Sequence, residues 1–159
     1  MPALTSLADE HEFILLAPDS RGPTWDLILA DYGPDVALID RALEQVFACL
    51  RIDSTRVALA GFSDGASYAL SLGVLNGDLF THIIAFSPGF MATTQQNGHP
   101  RIFVSHGVDD PVLPIKRCSR VIVPRLEALG YTVHYREFEG GHVIPPEIAQ
   151  EAIGWFVGR

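Results

Sequence analysis

An apolar run, Arg56-Val57-Ala58-Leu59-Ala60, leads straight through Gly61-Phe62-Ser63-Asp64-Gly65 into an Ala- and Leu-rich run that begins at Ala66. Glycines favour tight turns and apolar runs favour burial, so the stretch reads as a buried strand, a sharp turn and a buried helix. Such a turn lifts the Ser63 hydroxyl clear of a sheet, where a base can remove its proton, and makes Ser63 a candidate nucleophile. The same spacing also fits an ordinary βα connection in which Ser63 only caps the helix. Partner residues elsewhere in the chain decide between the two.

The rest of the chain repeats the strand-then-helix order. Runs rich in β-branched, aromatic and aliphatic residues predict strands over residues 13–17, 56–60, 82–86, 102–105 and 133–138. The first four lack alternation, as expected of parallel strands covered on both faces. Between them Val36, Ile39, Leu43, Val46, Phe47 and Leu50 form one helical stripe, opened by Gly33-Pro34-Asp35. Residues 66–75 are apolar nearly all round, and 121–129 and 146–157 predict two further helices, the last with Ile148, Ala152, Trp155 and Phe156 on one side. The alternation predicts an α/β protein with an open, mostly parallel sheet flanked by helices. In such sheets ligands bind beyond the C-terminal strand ends, where Ser63 falls. A length of 159 residues with 48 % apolar content predicts one domain over 1–159.

Several classes of function are disfavoured. The net charge of -8, with only 11 Lys and Arg and no basic run, offers no attraction to phosphate backbones, so no nucleic-acid partner is expected. The first ten residues lack the basic start and apolar core of a signal peptide, and no apolar run approaches the roughly 20 residues that span a bilayer. Cys49 and Cys118 lack CxxC spacing and read as small buried hydrophobes, which fits a reducing cytoplasm.

A serine nucleophile needs an imidazole to accept its proton and a carboxylate to orient that imidazole. Of six histidines, His142 stands in Glu139-Gly140-Gly141-His142-Val143, a loop between the last strand and the last helix, and is the best base. The carboxylate should follow an earlier strand, and Ser105-His106-Gly107-Val108-Asp109-Asp110-Pro111 offers both Asp109 and Asp110. The order serine, aspartate, histidine differs from the orders found in the chymotrypsin and subtilisin folds. His106, before a glycine at a strand end, reads as a structural, hydrogen-bonded histidine. His106, Asp109, Asp110 and His142 could together bind a metal, but no recognised ligand spacing supports it, and no metal site is expected. Trp25, in the loop after the first predicted strand, either walls a pocket or packs that loop. Phe62 within the turn and Phe90 after the 82–86 strand are further candidate lining residues, Phe90 equally a core one.

Taken together, these motifs resemble the serine esterase branch of the α/β-hydrolases, which includes phospholipase/carboxylesterase, dienelactone-hydrolase-like and polyhydroxybutyrate-depolymerase-like proteins. The resemblance runs over nearly the whole chain. It makes Gly61–Gly65 the nucleophile elbow and Gly141-His142 the histidine loop. It matches His106, Gly107, Asp110, Pro111, Val112 and Pro114 to a His-Gly-x-x-Asp-Pro-Val-x-Pro stretch, which favours Asp110 over Asp109 as the acid. Ser63, where dienelactone hydrolases proper have a cysteine, places the chain with the serine esterases. The implied activity is hydrolysis of a small or medium acyl ester, or a thioester, through an acyl-enzyme and without a cofactor.

One part of that pattern is missing. The oxyanion of a tetrahedral intermediate takes two backbone donors: the residue after the nucleophile, here Asp64, and a residue of an upstream His-Gly or Gly-rich loop. No such loop precedes Phe13. The resemblance implies that residues 1–10 correspond to the helix after the oxyanion strand, so that the chain begins one strand late. That strand would ordinarily lie between those at 13–17 and 56–60, and its loss predicts a gap within the sheet, with unpaired backbone groups along an exposed strand edge. A longer gene, closure of the flanking strands or a homo-oligomer pairing through that edge would each answer it. A hydrolase-shaped binding protein without catalysis is the alternative function.

Overall fold

The computed structural model describes residues 2–26, 32–92 and 95–158. In chain order the elements are α1 (Pro2–His11), α2 (Pro34–Cys49), β1 (Ala58–Phe62), α3 (Asp64–Leu75), β2 (His82–Phe86), β3 (Arg101–Gly107), α4 (Ser119–Ala128), β4 (Val133–Phe138) and α5 (Pro146–Val157). The four strands form one parallel sheet in the order β1-β2-β3-β4.

Period-two alternation inside the sheet explains both helical layers. On one face Ile83 and Ala85 of β2 and Ile102 and Val104 of β3 meet Ala66, Ala69, Leu70 and Val74 of α3 and Ile122, Val123 and Leu126 of α4. The opposite face carries Ile84, Phe86 and Phe103, which pack against Leu4 and Leu7 of α1 and Ile148, Ala149, Ala152 and Ile153 of α5. All five residues of β2 are buried. The register Leu59↔Ile83↔Ile102↔Val133 is fixed by this pattern, because a slip of one residue would exchange the two faces.

The expected strand at 13–17 does not form. Those residues run without regular secondary structure, and Ile14, Leu15 and Leu16 are 52 %, 40 % and 40 % exposed. A strand needs a neighbour to take its N–H and C=O groups, and among the described residues no strand lies beside β1 on its outer edge. A cavity of about 990 Å³ is found there instead, lined by residues 13–17, by Ala58–Phe62 and by side chains of α2 and α5.

Three further departures from expectation are observed. β1 starts two residues later than expected, continues through Gly61 and Phe62, and is only partly buried rather than covered on both faces. The stripe on α2 is only half used: Ile39 is buried and packs with Tyr68 and Leu72, joined by Val36 and Leu43, whereas Val46 and Phe47 face the cavity and Leu50 is exposed. Cys49, expected to be buried, is exposed at the last residue of α2, while Cys118 is buried as expected.

Burial sets the expected sensitivity to mutation. Ile84→Ala, in the buried centre of β2, should lower unfolding free energy by about 2–5 kcal/mol, and Ile14→Ala should change it by less than about 0.5 kcal/mol. Urea unfolding of the two variants measures both.

Candidate active site

The turn after β1 is held by close backbone approach. A Cβ on Gly61 would collide with the carbonyl group of Gly65, so only glycine lets strand and helix cross there. Ser63 sits at φ 59° and ψ -121°, a conformation that L-residues avoid and that costs about 1–3 kcal/mol. It is fixed from both sides: its N–H donates to the Phe86 carbonyl at 2.9 Å, and its own carbonyl accepts from Ala66 and Ser67 N–H at 3.1 Å. Asp64 is the first residue of α3, so its N–H has no preceding helical carbonyl to bond.

Two loops beyond β3 and β4 converge on the hydroxyl. Val108 N–H donates to the Phe138 carbonyl at 2.9 Å and Asp109 N–H to that of Gly140 at 3.0 Å, stitching one loop to the other. Gly107 permits this, because a Cβ there would strike the carbonyls of Gly140 and Gly141. The result brings His142 Nδ1 to 2.6 Å from Asp110 Oδ2 and His142 Nε2 to 2.8 Å from Ser63 Oγ. This pattern assigns the proton to Nδ1, facing the carboxylate, and leaves Nε2 to accept from the serine hydroxyl.

Asp110 is buried, whereas Asp109 is exposed, and only Asp110 reaches His142. Burial alone would raise the Asp110 pKa, but hydrogen bonds from Leu113 N–H, His142 and Val112 N–H outweigh it and hold the carboxyl below its ordinary value. Its Oδ1 accepts from Val112 and Leu113 N–H at 2.9 and 2.8 Å. Burial pushes the His106 imidazole below its ordinary pKa, against the opposing pull of the Leu113 carbonyl and Asp110. His106 is therefore a neutral, hydrogen-bonded ring, as its place before a glycine suggests.

Residues 18–26 lean over the elbow. Asp35, at the start of α2, is buried and accepts from Arg21 N–H at 2.6 Å and Asp26 N–H at 2.7 Å, while Asp26 accepts from Gly33 and Asp35 N–H at 2.8 and 2.9 Å. This reciprocal pair folds the loop so that the Thr24 hydroxyl donates to the Asp64 carboxylate and Trp25 stacks on Tyr68 with ring centroids 4.7 Å apart. Trp25, Asp64 and Gly65 share the lining of the cavity beside β1, which includes neither Ser63 nor His142. Phe62 lies against the His142 ring at 4.6 Å. Phe90 is 38 % exposed.

Ser67 was not marked by any motif. Its hydroxyl donates to the Ser63 carbonyl at 3.2 Å and accepts from Gly89 and Phe90 N–H at 2.9 and 3.3 Å, fastening the Phe90 loop to the elbow. Ser71 repeats the device one turn on with Ala92 N–H at 2.9 Å. Two serines four apart in an otherwise apolar helix were the available signal. Among the described residues no three His, Cys, Asp or Glu side chains converge as a metal site would require, and no helix is long and apolar enough to cross a membrane.

Residues 35–155 match the model of the phospholipase/carboxylesterase family. The chain belongs to that family. Among its relatives is a probable feruloyl esterase C of Aspergillus terreus, 31 % identical over 107 residues that make up 67 % of this chain and 38 % of the relative. Feruloyl esterase C of Emericella nidulans is 30 % identical over 103 residues, 64 % of this chain and 37 % of the relative. The chain thus spans well under half the length of the curated relatives it matches. Among solved structures, esterase PE8 superposes with a TM-score of 0.66 at 27 % identity, over 75 % of this chain and 57 % of that one. Arabidopsis thaliana SOBER1 shares the α/β-hydrolase fold, with a TM-score of 0.63 at 21 % identity over 76 % of this chain and 58 % of that one.

In this member of the family, the Asp110 carboxyl is held below its unfolded-state value, so it stabilises the fold above about pH 4, the ordinary aspartate pKa. That contribution is lost as pH falls through the lower, folded value. Urea midpoints of the wild type and Asp110→Asn, measured from pH 7 downward, should therefore converge below about pH 4.

Proposed function

We propose that this chain is a carboxylic ester hydrolase that uses Ser63 as nucleophile, His142 as general base and acid, and Asp110 as the orienting carboxylate. The observation that carries the reading is the unbroken hydrogen-bond chain from Asp110 through His142 to Ser63. Ser63 Oγ attacks the acyl carbon as its proton passes to His142 Nε2, and Asp110 stabilises the imidazolium. The Asp64 N–H, free at the start of α3, faces the oxyanion of the tetrahedral intermediate. Collapse of that intermediate returns the proton from His142 to the departing alkoxide, and water, activated by the same imidazole, then hydrolyses the acyl-enzyme. No cofactor enters these steps.

A small or medium acyl ester, or the corresponding thioester, is the proposed substrate. Relatives named feruloyl esterase and the aromatic surface of Trp25 on Tyr68 make aryl-acyl esters the first to test. Two free thiols, one of them exposed, suit the reducing cytoplasm.

A second reading is favoured by the open outer edge of β1. In it the chain is a hydrolase-shaped binding protein, or needs a further segment or a second copy against that edge to supply the other oxyanion donor. Covalent labelling of the chain by a serine-directed fluorophosphonate separates the two. The hydrolase reading expects labelling that Ser63→Ala abolishes and His142→Ala slows by at least about 10³-fold. Ester turnover no faster than that of Ser63→Ala would overturn it. Labelling only after an upstream strand and His-Gly loop are added, or only in a dimer on size-exclusion chromatography, would support the second.

A further inference from the structure

The turn that carries Asp110 has little apolar anchorage. Pro111, Val112 and Pro114 are exposed and Leu113 is only partly buried, so packing does not fix the direction of the carboxylate. A buried polar group does. The His106 side chain is fully inaccessible beneath the turn, with Nε2 2.7 Å from the Leu113 carbonyl and 3.3 Å from Asp110 Oδ2. Leu113 N–H in turn donates to Asp110 Oδ1 at 2.8 Å, so the ring and the carboxylate hold the backbone of Leu113 from its two sides.

For His106 to donate from Nε2, its other nitrogen must accept. Ser119 Oγ, also buried and at the first residue of α4, lies 2.6 Å from Nδ1 and can supply that proton. With the opposite tautomer, a lone pair would face both the Leu113 carbonyl and the carboxylate. The Leu113 carbonyl, which can only accept, therefore selects the Nε2–H tautomer, Ser119 holds the ring in it from the other side, and the histidine fixes the acid.

We propose that His106, locked by Ser119, is a positioning residue that aims the Asp110 carboxylate at His142. It touches no substrate and acts through Asp110 alone. The inference rests on the reading of Asp110, His142 and Ser63 as a catalytic triad, and its test includes a readout that does not depend on turnover.

That readout is the low-field proton resonance of His142 Nδ1–H, assigned by its loss in His142→Gln. In the full chain, His106→Leu should weaken or shift this resonance and lower kcat for 4-nitrophenyl acetate about tenfold at unchanged KM, roughly the value of one buried hydrogen bond. His106→Gln, which keeps an N–H near Nε2, should restore both to within about twofold. Ser119→Ala should shift the resonance while leaving the ring in place, and serves alone if His106→Leu fails to fold by circular dichroism. An unchanged resonance and kcat in folded His106→Leu, or in Ser119→Ala, would overturn the proposal, as would failure of a folded His106→Gln to restore them. If the wild type turns over no ester beyond Ser63→Ala, the hydrolase reading falls. The resonance then decides the role of His106 by itself.

Discussion

Everything at the C-terminal end of the sheet depends on the pairing of β2 with β3, two strands buried on both faces between helical layers. Their apolar side chains alternate between the α3/α4 layer and the α1/α5 layer, and that double burial leaves one tolerable register. From it the strand ends follow: Phe62 beside Phe86, Phe86 beside Ser105, and Gly107 beside Phe138. A slip of one residue would move a loop by about 3.3 Å, more than the whole span of a hydrogen bond. The contacts from Asp110 to His142 and from His142 to Ser63 are thus consequences of core packing, expressed one layer further out.

The legible parts of the sequence were those that obey a local rule. Gly61 and Gly65 announced a backbone crossing, and the crossing is where a Cβ would collide. The β2 run, apolar without alternation, is the most deeply buried strand. Asp109 and Asp110 illustrate the limit. Side by side in sequence, they fit the same motif position by composition, and the difference between them is which carboxyl the turn directs inward. That depends on Val112 and Leu113 N–H groups two and three residues downstream, on His106 below, and on His142 across the sheet.

Residues 13–17 and the lower half of the α2 stripe depart from expectation for one physical reason. Each has the composition of a buried segment, and burial requires a neighbour that composition does not supply. Their sides facing the cavity beside β1 have no sheet or helix to meet among the described residues. Periodicity reports which side of an element is apolar, not whether anything covers it. Ser67, Ser71 and Ser119 escaped notice for the opposite reason: their hydroxyls bond to distant loops or a distant ring, and helical periodicity treats such residues only as interruptions.

The open edge and the proposed triad lie on opposite sides of the elbow, and this separates their energetics. Ser63 is anchored inward, through its N–H to Phe86 on β2 and through its carbonyl to α3, while His142 and Asp110 come from the β3 and β4 side. None of these contacts crosses the cavity. Asp64 and Gly65, by contrast, line it, and Thr24 reaches the Asp64 carboxylate from the loop beyond. The groups proposed to activate Ser63 are therefore tied to the buried interior, whereas those proposed to stabilise the oxyanion face the unpaired side of β1. A segment paired with β1 would bring its backbone N–H groups to the oxyanion side without disturbing the serine, its base or its acid. In such an arrangement the sheet core sets whether Ser63 can attack, and the occupancy of the β1 edge sets how well the charge it creates is received.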